Sequence, residues 1–172
     1  MTMDRQTFLH RVFPVRNQVF RLAKALLQNT QEAEDATQEV LLKLWTKRDD
    51  LSAYRSVEAL ALQITKNQCL NTLKSAKRQP MYDANRLELN GGDATPYQTM
   101  EAADQTRIME QLFADLPPQQ RLVMHLRNVE GYSFEEMEAI TGLQANHLRV
   151  LLHRARQHVK EGFLKISSYE NP

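Results

Sequence analysis

The 172-residue chain is predicted to be all-α, with two small helical domains joined by a flexible linker and a helix-turn-helix in the second. Three observations carry this. Apolar residues recur at three- and four-residue spacing through both halves, and no stretch reads convincingly as a strand. Residues 79–97 hold two prolines, two adjacent glycines and no sustained periodicity, which is a linker composition. Residues 116–163 read as three helical segments, broken at Glu130-Gly131-Tyr132-Ser133 and at Thr141-Gly142-Leu143. The middle segment, 134–140, is short, and the third carries Arg149, Arg154, Arg156 and Lys160. A short helix, a glycine turn and a basic second helix form the pattern that places its second helix in a DNA major groove.

In chain order, Asp4 can cap a first short helix over residues 5–12. Pro14 suits the first turn of a second, where its missing N–H costs little. Val15, Val19, Leu22, Ala23 and Leu26 then follow helical spacing. Asn29, with Glu32 three residues on, resembles a capping box. The third helix shows Ala33, Ala36, Val40, Leu44 and Trp45 on a broad apolar face. Residues 47–56 are polar and read as a loop. A long helix follows over 57–77, with Leu60, Ile64 and Leu73 inward and a basic C-terminal end. Another, about 100–114, leads into Leu116-Pro117-Pro118. In the last helix Leu148, Leu152, Ala155 and Val159 should face inward.

Composition narrows the class. Hydrophobic residues at 42% suffice for a core, and 25% charged residues fit an ordinary soluble protein. No apolar run approaches the ~20 residues that span a bilayer. The N-terminus lacks a signal peptide's apolar stretch, so the chain reads as cytoplasmic, without membrane insertion. Cys69 is the only cysteine, which excludes an internal disulfide and a thiolate metal cluster; a buried inert thiol is the plain reading. The net charge of +1 hides an uneven distribution: +5 over residues 1–80, −5 over 81–115 and +1 over 116–172. Phosphates would attract the first block and repel the second.

Two segments resemble the extracytoplasmic-function class of bacterial RNA polymerase sigma factors. In the first half QEAEDATQEVLLKLW, followed by LALQITKNQCLNTLKSAKR, is similar to the family's AED, Q-E, aromatic-rich helix end, I-A-x-N and basic tail. In the second half LPPQQRLVMHLRNVEGYSFEEMEAITGL and LHRAR resemble L-P-x-x-x-R, E-G-x-S-x-x-E-I-A and R-A-R. Together they span about 15–78 and 104–162. The resemblance implies an alternative sigma factor that binds core RNA polymerase and directs promoter-specific initiation at minus-10 and minus-35 elements. It implies region 2 over 1–78, a linker over 79–103, region 4 over 104–166 and a tail over 167–172. It also implies an anti-sigma factor as a partner, and neither cofactor, metal nor enzymatic activity.

By the same resemblance Asp35, Gln38, Glu39 and Leu42 would face the polymerase. Gln38 and Leu42 are four apart, hence stacked, with Asp35 one turn before. For Glu32 and Glu34 the preferred reading is complementing the helix dipole. On the long helix Lys66, Asn67, Asn71, Lys74 and Arg78 fall near one face, with Lys77 beside them. Amides can read base edges and lysines can hold phosphates, though a solvated face is the plain alternative. The family usually has Asp and Arg where this chain has Asn71 and Lys74. In the family, the loop before this helix holds a base taken out of the stack. Here Tyr54 and Arg55 are its candidates for stacking and phosphate contact, with Tyr54 equally suited to packing. In the last helix Gln144, Asn146, His147 and Arg149 are available to base edges. His153, Arg154 and Arg156 follow, the arginines suited to phosphates or to bracing the helices. Leu151 stands where relatives usually have an arginine, which would remove a phosphate contact.

Two other functions fit the sequence less well. A free-standing repressor or activator would leave the first half without a role. An enzyme would need chemistry the sequence lacks: no H-E-x-x-H, phosphate loop or nucleophile motif is present, and the acids at 32, 34 and 35 lack a metal-binding loop.

Overall fold

The computed structural model describes residues 3–77 and 100–170, and among these it contains helices and turns but no strand. α1 (Arg5–Val12) starts where Asp4 accepts a hydrogen bond from the Thr7 N–H at 2.7 Å. A 3-10 turn (Phe13–Val15) containing Pro14 then leads into α2 (Arg16–Leu27), which ends at Gln28 in the left-handed region, φ 59°. Asn29 caps α3 (Thr30–Thr46) by accepting from the Glu32 N–H at 2.9 Å. α4 (Val57–Lys77) completes the first half. The segment expected to be loop is instead a 3-10 turn over Arg48–Ala53. Its polar composition hides one anchor, Leu51, which is 1% exposed.

The second half holds α5 (Met100–Ala114), α6 (Pro118–Met124), a π-helical turn (His125–Val129), α7 (Phe134–Thr141) and α8 (Ala145–Glu170). Residues 100–103, placed in the linker by the expected domain bounds, form the first turn of α5, in line with the helix expected over about 100–114. The rest of the expected linker, 79–99, lies outside the described residues.

The apolar faces fall as their spacing predicts. Val15, Val19, Leu22, Ala23 and Leu26 are buried, as are Ala33, Ala36, Val40, Leu44 and Leu60. Trp45, Ile64 and Leu73 pack at the edge of the same cluster, Trp45 meeting Phe8 edge-on at 4.9 Å. Leu148, Leu152, Ala155 and Val159 face inward along α8.

The two halves do not stand apart. α2 packs on α6 and α4 packs on α7, and one apolar cluster runs through both halves. Leu22 and Leu26 from the first half, and Leu122, Leu126, Met137 and Ile140 from the second, belong to it. Polar bonds line the seam. Arg21 forks onto Glu130 at 2.7 and 3.0 Å. Arg121 donates across to the Leu26 carbonyl at 2.8 Å, and within its own half to Leu116 and Ala114. The Tyr132 hydroxyl donates to the Glu58 carboxylate, which also accepts from Gln18 at 2.8 Å.

Candidate nucleic-acid interface

The helix-turn-helix is built by local chemistry. Ser133 and Glu136 cap α7 reciprocally: the Glu136 N–H donates to the Ser133 hydroxyl, and the Ser133 N–H to the Glu136 carboxylate. Gly142 ends α7 at φ 75°, a conformation that favours glycine. The Thr141 hydroxyl accepts from the Leu143 N–H, and the Glu138 carboxylate from the Ala145 N–H, so the turn is tied at both ends. These bonds fix the start of α8. Gln144, Asn146, His147 and Arg149 are all exposed there. The Arg149 guanidinium donates to Asn146 Oδ1 at 3.2 Å and lies over Phe134. His153, Arg154 and Arg156 are exposed further along the helix. Arg156 donates to Asn128 Oδ1 at 2.8 Å, so it links α8 to the π-helical turn as well as facing solvent.

On α4, Asn67, Asn71 and Lys74 are exposed on one side. Lys66 departs from that expectation. It is partly buried, and its ammonium donates to the Thr141 carbonyl at 3.1 Å. Burial lowers its pKa from the ordinary lysine value. The reason is the docking of α7 on α4, which turns this position from a solvent face into a seam. The Lys77 side chain and Arg78 lie outside the described residues. Tyr54 is 43% exposed at the end of the 3-10 turn, with Arg55 exposed beside it.

Asp35, Gln38, Glu39 and Leu42 are exposed along α3. Asp35 accepts from Gln31 at 3.2 Å, and Glu39 from Gln68 of α4 at 2.6 Å. Leu42, 64% exposed, lines an apolar groove with Phe8, Leu9, Phe13 and Trp45, and Gln38 stands at its edge. No group of three or more His, Cys, Asp or Glu with metal-holding geometry occurs among the described residues, nor any helix long and apolar enough to cross a membrane.

The sequence matches two families in order, Sigma-70 region 2 over residues 14–79 and Sigma-70 region 4 over 106–159. The chain belongs to the extracytoplasmic-function sigma factors. Among its relatives, the ECF RNA polymerase sigma factor SigE of Mycolicibacterium smegmatis is 28% identical over 88% of this chain and 60% of that protein. SigD of Mycobacterium tuberculosis is 33% identical over 80% of this chain and 66% of that one. The chain thus spans about two thirds or less of these relatives. SigW of Bacillus subtilis is 20% identical over 92% of this chain and 89% of its own length. The sigma factor RpoE of Bartonella quintana, solved with the anti-sigma factor NepR, has the same fold, with a TM-score of 0.74 at 20% identity over 91% of this chain and 96% of that one.

This sigma factor departs from its expected reading at one further place. Leu151 is not an exposed position that lost a phosphate contact; it is 6% exposed and part of the core. Sequence reasoning also assigned no role to the polar residues of the seam, Arg21, Glu58, Arg121, His125, Glu130 and Tyr132. Two carried a signal. Arg121 closes the L-P-x-x-x-R motif and Glu130 opens E-G-x-S. His125 is buried at the seam, with Nε2 3.4 Å from Glu130 Oε1 but without hydrogen-bond alignment.

Proposed function

We propose that the chain acts as an alternative sigma factor, binding core RNA polymerase and directing initiation at promoters with minus-10 and minus-35 elements. One observation supports it above the rest. A region 2 match carrying an amide-and-lysine helix face precedes a region 4 match carrying an exposed, basic, glycine-turned helix. In this reading region 2 occupies 1–78, a linker 79–103 that ends in the first turn of α5, and region 4 104–166, with a tail 167–172 that begins on α8. Asp35, Gln38, Glu39 and Leu42 meet the polymerase. Tyr54, Arg55, Asn67, Asn71, Lys74, Lys77 and Arg78 meet the minus-10 element, joined by Lys66 once it is uncovered. Gln144, Asn146, His147 and Arg149 read the minus-35 element, with His153, Arg154 and Arg156 toward the phosphates. The protein works by binding, in the cytoplasm, with no catalytic step of its own. An anti-sigma factor is its expected regulator, in line with the RpoE likeness.

The test is run-off transcription with purified core polymerase, with and without the chain, beside footprinting by the chain alone. Specific transcripts only when both proteins are present are the expected result. A tight promoter footprint by the chain alone at physiological salt would instead make it a free-standing regulator.

A further inference from the structure

We propose that Glu138 is a positioning residue for promoter reading: its carboxylate caps α8 from the neighbouring helix and sets the backbone that carries Gln144 and Asn146. What α8 reads rests on the sigma-factor reading above; the cap rests on geometry alone.

The start of α8 has no local cap. The first bond within the helix runs from the Leu148 N–H to the Gln144 carbonyl at 3.0 Å. The N–H groups of Ala145, Asn146 and His147 therefore lie ahead of any intrahelical acceptor. Serine, threonine, aspartate or asparagine commonly meets that need from the cap position, and here the position holds Gln144. Glu138 supplies the acceptor instead. Its Oε1 takes the Ala145 N–H at 2.6 Å, across seven residues and a turn. Its carbonyl takes the Gly142 N–H at 2.8 Å, so one residue holds the end of α7 and the start of α8. The helix dipole favours a carboxylate at this end.

Ala145, the capped residue, lies between Gln144 and Asn146, both exposed at the reading end. An amide side chain discriminates adenine through two bonds made together, which requires placement to within about 0.5 Å. The cap is also particular to this chain. The S-x-x-E-I-A pattern of the family ends in alanine, and Glu138 stands at that position. An alanine side chain has no acceptor to offer. With the carboxylate gone, the uncovered N–H groups and the dipole favour an anion, so a DNA phosphate competes for them. The carboxylate thus keeps this end of α8 for base edges.

The experiment combines core polymerase, the full chain and a promoter library randomised in the upstream element. Sequences bound with the parent are compared with those bound with Glu138→Ala and Glu138→Gln. Glu138→Ala should lower the preference about fivefold at the positions that Gln144 and Asn146 read, the change a typical cap energy gives. Binding to disfavoured sequences should stay level or rise. Glu138→Gln keeps an acceptor at the same reach and should restore most of the preference. Amide hydrogen exchange at Ala145, measured on the chain without DNA, should be slow in the parent and in Glu138→Gln and several-fold faster in Glu138→Ala. An even loss across all sequences, which a merely structural role gives, overturns the positioning, and so does an unchanged preference in Glu138→Ala. Equal Ala145 exchange in the parent and Glu138→Ala overturns the cap. No enrichment of any sequence by the parent with polymerase fails the sigma-factor reading and the promoter consequence with it, while protection lost only in Glu138→Ala upholds the cap.

Discussion

The Arg149 guanidinium carbon lies 4.8 Å from the centre of the Phe134 ring, and the Arg127 guanidinium lies 4.9 Å from the same ring. The aromatic ring, at the first position of α7, thus holds a long side chain at the start of α8 before any DNA arrives. Restricting Arg149 in advance reduces the entropy lost when it contacts a base.

Arg149→Ala should relax preference at one position of the upstream element, by ~1–3 kcal/mol if the contact is bidentate to guanine. Phe134→Leu keeps the apolar packing and the Arg149 charge but loses the ring. It should weaken discrimination at that same position and leave the salt dependence unchanged. Promoters with single upstream substitutions, assayed with each variant across a salt series, measure both effects. A uniform loss from Arg149→Ala would make it a phosphate contact and leave Gln144, Asn146 and His147 as readers.

The α3 surface predicts a separation of folding from polymerase binding. Gln38→Ala with Glu39→Ala removes exposed groups, one of them bonded to Gln68. The unfolding free energy should stay within ~0.5 kcal/mol, as is usual for surface changes. Capture of core polymerase should fall sharply. Undiminished capture would move the interface elsewhere on the first half.

Gly142→Ala isolates the cost of a backbone conformation. Gly142 has φ 75°, and a Cβ there meets nothing within 4 Å. Steric crowding therefore contributes little, and the loss should be about 1–2 kcal/mol from the left-handed conformation alone. Denaturant unfolding measures it. A loss near zero would show that the turn relaxes out of this conformation.

His125 makes stability depend on pH. Burial holds its pKa below the ordinary 6.5, aided by the Arg21 charge and opposed by the Glu130 carboxylate. The unfolded chain therefore binds a proton near 6.5 while the folded chain still resists it. Between the two values the unfolded state holds more protons, so stability rises with pH there and is lost as pH falls. Hydrogen bonding from Arg21 lowers the Glu130 pKa below 4.5, which adds a second loss at lower pH. Urea unfolding at pH 7.5 and 5.5 should differ by up to about 1 kcal/mol, inside the limit of 1.36 kcal/mol per unit. His125→Gln should flatten that difference, and an equal slope in the variant would place the titrating group elsewhere.

These elements differ in how far the sequence announced them. Asp4 and Asn29 were legible because a cap and its helix lie within three residues. The α8 face was legible because burial at 148, 152, 155 and 159 follows the helical period. Leu151 belongs to the same stripe by its three-residue step from Leu148. The seam was not legible. Arg21 and Glu130 each read as ordinary surface charges until the fold brings them together, and no periodicity encodes a pair 109 residues apart. Lys66 was misplaced for the same reason, since its neighbour Thr141 comes from the other half.

Cys69 is the chain's only thiol, it is 0% exposed, and burial with the nearby Glu32 and Glu39 charges disfavours its thiolate. Oxidants and electrophiles attack the thiolate, and they need access to it. A peroxide burst would therefore reach this protein without finding a reactive thiolate at Cys69. A thiol so placed enters redox chemistry only when the fold opens around it.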